Sequence, residues 1–194
     1  MTELFGNKYC IPSARAEWWD YGTNAAYFVT ICTQNREHFF GRIASPPLTS
    51  PRLIPSLPGA IAQACWLEIP QYFPFVQLGA FVVMPNHVHG ILVIAKPPLA
   101  SLPPPATTAA APPATAGGCA GDANPMLHDN LSRIVRWYKG RTSFEARKIW
   151  ADFAWQPRFH DHIIRNASAY QNITNYIFTN PALWQEDQFH SLSK

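Results

Sequence analysis

Charge is scarce in this chain. Only 14% of its 194 residues are Asp, Glu, Lys or Arg, and the formal net charge is +3. Long-range attraction to a polyanion is therefore weak for the molecule as a whole, and such a partner would have to be met by local clusters. Cysteine is equally sparse. Cys10, Cys32, Cys65 and Cys119 lie far apart with no CxxC pair, a layout that fits a reducing cytoplasm better than a disulfide framework. No run approaches the ~18 apolar residues of a membrane span, and MTELFGNKYC lacks the charged-then-apolar layout of a secretion signal. The expected location is cytoplasmic. What is present is an apolar fraction of 47%, enough for the packed core of one domain spanning 1–194.

The apolar residues follow readable periods. AAYFVTICTQ, Ala25 to Gln34, is aromatic and β-branched and predicts a strand. GRIASPPLTSPRLIPSLPG is broken by prolines and predicts a loop. From Gly59, apolar residues at Ile61, Ala64, Cys65 and Leu67 or Ile69 predict an amphipathic helix ending near Pro70. FVQLGAFVVMP and HVHGILVIA predict two strands joined at Pro85-Asn86, where proline disfavours a type I′ turn and an irregular or open one is expected. Residues 97–127 then form a Pro/Ala-rich tract with too little apolar surface to offset its ordering entropy, a flexible insertion. Asp129 or Asn130 caps a second helix with Leu131, Ile134, Val135 and Tyr138 inward and Arg133, Arg136 and Lys139 outward. QPRFHDHIIR alternates as a short strand, and Asn166 caps a last helix stopped by Pro181. The order is β, α, β, β, insertion, α, β, α: an α+β domain with an antiparallel or mixed sheet covered by helices.

The stretch MPNHVHGILVI carries the functional question. Side chains alternate along a strand, so His87 and His89 share one face within a very apolar segment. A pair of satisfied core histidines is the plain explanation. In the last helix Tyr170, Ile173, Tyr176, Ile177 and Asn180 fall on one side, with Tyr176 and Asn180 stacked at i and i+4. If that side covers the strand face with the histidines, a phenol, a carboxamide and two imidazoles converge.

VVMPNHVHGILVI, WQPRFHDHIIRN and NYIFTNPALW, in this order and together with YFVTICTQNREHFFGRI, resemble the single-tyrosine HUH transposases. The nearest branch is the REP-associated tyrosine transposases and their insertion-sequence relatives. RAEWWDYGTNAAYF departs from that branch's N-terminal signature. The resemblance implies a ferredoxin-like core, a metal held by His87 and His89 and completed by Asn180, and Tyr176 as nucleophile. It implies cutting and rejoining of single-stranded DNA beside a hairpin, through a 5′-phosphotyrosine, by a monomer or a homodimer.

The chemistry agrees with those assignments. A phenol of pKa about 10 is a poor nucleophile at neutral pH unless something helps to remove its proton. A divalent cation can do this while drawing charge from the phosphate. Imidazole and amide donors with open positions suit Mg²⁺ or Mn²⁺. Arg133, Arg136, Lys139, Arg141, Arg147 and Lys148 form a local basic excess, Arg158 and Arg165 flank the short strand, and Trp137, Tyr138, Trp155 and Phe159 offer rings to unpaired bases. Arg133, Arg136, Lys139, Arg141, Arg158, Arg165 and Trp155 are the expected DNA contacts, although a solvated helix face would look similar. Tyr170 is a rival nucleophile on the same helix face. His160 and His162 repeat the His-x-His spacing and raise the alternative of a zinc hydrolase. Two further alternatives share the fold: a catalytically silent binder of structured DNA, and a replication-initiator-like nickase.

Overall fold

A computed structural model describes residues 4–5, 8–9, 18–45, 50–97, 129–187 and 189–190. The proline-rich tract expected over 97–127 lies, apart from its first residue, outside the described residues. Two short strands, β1 (Leu4–Phe5) and β2 (Lys8–Tyr9), pair with each other. The main body follows as β3 (Ala25–Cys32), β4 (Gly41–Ala44), β5 (Arg52–Pro55), α1 (Leu57–Tyr72), β6 (Val76–Met84), β7 (His87–Ile94), α2 (Leu131–Ala146), β8 (His160–Ile164) and α3 (Ala167–Thr179).

The central sheet has the order β6-β7-β3-β8, and every neighbouring pair is antiparallel. In terms of the four strands alone this is 2-3-1-4, reached through a βαββαβ path, the ferredoxin-like arrangement. Alternation along the strands separates two cores. Tyr27, Val29 and Ile31 of β3 and Val88 and Leu92 of β7 pack with Trp66 and Ile69 of α1 and Ile134 and Tyr138 of α2. The opposite face carries Ile91 and Ile164, which pack against Ile177 of α3. His87 and His89 have the same parity as Ile91, so they lie on the face covered by α3.

Close packing fixes this assignment. A Cβ on Gly90 would sit 2.2 Å from Trp66 Cζ2, so glycine is what lets the α1 indole lie flat on β7. The expected caps form: Asn130 Oδ1 accepts from Arg133 N at 3.0 Å, and Asn166 Oδ1 accepts from Ala169 N at 2.8 Å.

Three expectations need correction. The proline-broken stretch 41–59 is not all loop, because β4 and β5 pair through it with Ile43 opposite Leu53. A two-stranded ribbon is all edge, so Pro55, which lacks an N–H, is accommodated at its end. Helix α1 starts earlier, after the Ser56 cap whose Oγ accepts from Gly59 N at 3.1 Å. It also runs through Pro70 to Tyr72, closed by Phe73 N donating to Ile69 O at 2.9 Å. Burial of Trp66, Ile69 and Phe73 outweighs the bond that proline removes. The turn before His87 is tight rather than open, since Met84 pairs directly with His87. Neither Pro85 nor Asn86 has positive φ, so it is not type I′.

Candidate active site

The site is built where β7 leaves the Pro85-Asn86 turn. Its first supports are backbone and amide groups. Asn86 is fully buried, and its Nδ2 donates to Arg36 O at 3.0 Å and Phe189 O at 2.7 Å. With both donors spent, Asn86 Oδ1 must accept, and it faces His87 Nδ1 at 2.8 Å. His87 is thereby held with its proton on Nδ1 and a bare lone pair on Nε2. The strand register supplies the second support: Thr30 of β3 is opposite His89, and its Oγ1 lies 2.8 Å from His89 Nδ1. Each ring is thus held through the nitrogen farther from the shared space, the arrangement that metal-ligating histidines use.

The two imidazoles touch, with centroids 4.4 Å apart, and Phe28 stacks on His89 at 5.2 Å. Burial drives the His87 pKa well below its ordinary value, reinforced by His89 and Arg36. Burial likewise lowers His89, to about 3, with His160 adding to the shift. Both rings are neutral, and so available as ligands, at physiological pH.

Helix α3 brings the phenol. Tyr176 Oη lies 3.3 Å from His89 Nε2, with the rings 5.3 Å apart. Tyr176 is 40% exposed, so one side of it faces solvent. Its pKa is raised, first by burial and then by Asp187, while the Asn180 side chain pulls it down. The rival Tyr170 is elsewhere, with its hydroxyl against Gly79 of β6.

Asn180 is buried at 2% exposure and its Oδ1 meets no hydrogen-bond donor. The segment after α3 adds a residue that the sequence reading missed, Asp187. One ligand atom from each of His87, His89 and Asp187 falls within 4.8 Å of the others. Two atoms bound to one ion at about 2.1 Å can be at most about 4.2 Å apart, so a small closure suffices. His87 Nε2, Asn180 Oδ1 and Asp187 Oδ2 are all buried without a donor, a cost that a cation would remove. His87, His89 and Asp187 fit a divalent cation.

The expected DNA contacts separate into groups. Arg133 pairs with Asp129, and Arg141 with Glu145 and Glu68. Lys139 donates to Gln156 O and Arg158 O instead of pointing into solvent. Arg136, Arg158 and Arg165 are exposed. Trp155 is a correction to the idea of an open stacking ring: it is packed among Phe40, Tyr138 and Phe153, 9% exposed, with Nε1 donating to Lys139 O. Tyr138 is buried too, its hydroxyl bound to Ala62 O. His160 and His162 lie on the same sheet face as His89, across β3, and both are exposed. Among the described residues they join no metal-binding group.

The sequence held weak signals for the missed residues. Asn86 was read only as a turn residue, and Asp187 lies in WQEDQFH, outside any periodic element. Arg36 and Asn35, both at positive φ, form the turn whose carbonyl anchors Asn86. Backbone strain of this kind concentrates at functional sites, and it has no signature in residue order.

No protein-family model matches the chain. Among solved structures, a REP-associated tyrosine transposase bound to a REP hairpin aligns with a TM-score of 0.50 and 23% identity, covering 86% of this chain and 73% of that one. The chain shares the fold of that tyrosine transposase. An uncharacterised protein of Haemophilus influenzae (strain Rd KW20) is 33% identical over 179 residues, 92% of each chain, and the present chain belongs to that protein's family.

Proposed function

We propose that the protein is a metal-dependent single-strand DNA endonuclease and strand transferase, with Tyr176 as its nucleophile. The observation that carries this reading is the 3.3 Å approach of Tyr176 Oη to His89 Nε2, beside the His87–His89–Asp187 group. His87, His89, Asn180 and Asp187 would hold the cation, with Mg²⁺ or Mn²⁺ favoured by nitrogen and oxygen donors without thiolate. When bound, that ion supplies charge for the phosphate oxygens and for the phenolate. One carboxylate on a doubly charged ion leaves net positive charge for a phosphodiester.

Tyr176 Oη attacks phosphorus, the P–O3′ bond breaks, and the released 3′ oxygen takes a proton as the phenol loses one. The 5′ end stays on Tyr176 as a phosphodiester, so a second 3′-hydroxyl can reverse the step without an added energy source. Histidines, phenol and carboxylate converge within one chain, so a monomer can supply the whole site. A REP hairpin is what the solved transposase holds, and hairpin DNA with single-stranded flanks is the first substrate to test.

End-labelled DNA of this kind, incubated with protein and Mn²⁺, is expected to yield an adduct that survives denaturing electrophoresis and disappears in Tyr176→Phe. DNA binding with no adduct in either metal would instead favour a silent binder.

A further inference from the structure

The cations of α2 and its C-terminal turn divide by what they meet. Arg133, Arg141 and Lys148 each pair with a carboxylate, at 2.5, 2.5 and 2.6 Å. Arg136, Lys139 and Arg147 meet no carboxylate among the described residues, and all three line one cleft of about 920 Å³ between α2 and the segment 154–159. No acidic side chain lines that cleft, and Phe144, 63% exposed, stands at its edge.

Gly140 also lines the cleft, in the middle of α2. Glycine is the least favourable residue inside a helix after proline, because it loses the most backbone freedom. Here the fold gives no reason for it. The residue is exposed, its φ is not positive, and a Cβ built there would meet nothing within 4 Å. Close approach of a ligand to the helix backbone is a use that a glycine serves at such a position.

One wall of the cleft is bonded to the strand next to the site. Its wall at Gln156 is tied to β3 by Gln156 N donating to Cys32 O at 2.9 Å, and Cys32 is the register partner of His87. Lys139 Nζ ties the same wall to α2 through Gln156 O at 2.6 Å and Arg158 O at 3.0 Å. Arg158 holds φ 69, an unfavourable backbone for arginine, just before His160 of β8. His160 is opposite Thr30, whose hydroxyl holds His89.

We infer that this cleft is the channel for the single-stranded flank of the DNA, with its phosphates at Arg136 and Arg147 and its closest approach to the protein at Gly140. The assignment rests on the proposed function for the identity of the polyanion. It differs from that reading in naming α2, on the face of the sheet away from Tyr176, as the carrier of affinity. It also excludes the carboxylate-paired cations of the same helix.

The test measures binding and cutting separately. Fluorescence anisotropy with a fluorescein-labelled DNA hairpin carrying single-stranded flanks reports affinity, and the denaturation-resistant adduct reports chemistry. Gly140→Ala should raise the melting temperature yet weaken binding at least about threefold, and Arg136→Ala should weaken it by roughly tenfold and lower the salt slope by about one. Arg133→Ala, already engaged by Asp129, should change affinity less than about twofold. Wild-type affinity in both Gly140→Ala and Arg136→Ala would overturn the channel while leaving Tyr176 chemistry intact. Weakened binding in those variants, with no adduct from the wild type, would uphold the channel and sink the nuclease reading. No binding by the wild type would overturn both.

Discussion

Acid should unfold this protein through its two buried histidines, and the size of the effect follows from the site. His89 is 1% exposed with a pKa of about 3 in the folded chain, against about 6.5 when unfolded. Below pH about 6.5 the unfolded chain takes up a proton that the folded one refuses, so stability contributed by this group is complete above that pH and falls as pH drops toward 3. The slope is about 1.4 kcal/mol per pH unit, so moving from pH about 7 to about 4.5 costs about 2.7 kcal/mol from His89 alone. His87 is shifted in the same direction and adds to the loss. Against a total stability of about 5–15 kcal/mol, this is a large fraction. Urea midpoints across that range, for wild type and His89→Gln, give the slope directly. The wild type should lose stability with about one proton more dependence than the variant. Equal slopes would show that His89 titrates freely, and would refute the burial and the hydrogen-bond support argued for the site.

Other outcomes follow from the same geometry. Adduct formation should be faster with Mn²⁺ than with Mg²⁺ at matched concentration, because imidazole donors favour Mn²⁺, and equal or higher activity with Mg²⁺ would count against it. Asp187→Asn keeps the shape but removes the only carboxylate of the His87–His89–Asp187 group. It should weaken Mn²⁺ binding by at least about tenfold in titration calorimetry, and unchanged affinity would remove Asp187 from the ligand set. Gly90→Ala drives a methyl into the Trp66 ring and should destabilise by about 1–3 kcal/mol or more in thermal melts. A neutral result would mean that α1 does not lie on β7 as described.

Much of this fold was legible because its elements obey simple periods. The alternation in VVMPNHVHGILVI placed His87 and His89 on one face, and the 3.6-residue period of α3 placed Tyr176 and Asn180 together. That α3 covers that same face is a tertiary fact which periodicity raises only as a condition. The failures have physical causes. Pro70 reads as a stop, yet packing around Trp66 carries the helix past it. The prolines of 41–59 read as loop, yet Pro55 sits at the end of an edge ribbon that tolerates it. Trp155 looked like an available ring because aromatic residues beside arginines suit DNA, whereas its partners Phe40 and Tyr138 come from distant positions. Asp187 and Asn86 were invisible for the same reason: their value lies in contacts across the sheet end and with Phe189, which no local pattern encodes.

The most direct measurement is the identity of the residue that carries DNA. The adduct is trimmed with nuclease, digested with protease and sequenced by mass spectrometry. A nucleotide joined by phosphodiester to the peptide that contains Tyr176, on the Tyr176 oxygen, is the predicted result. A modified Tyr170, or cleaved DNA with no tyrosine modified, would contradict the account.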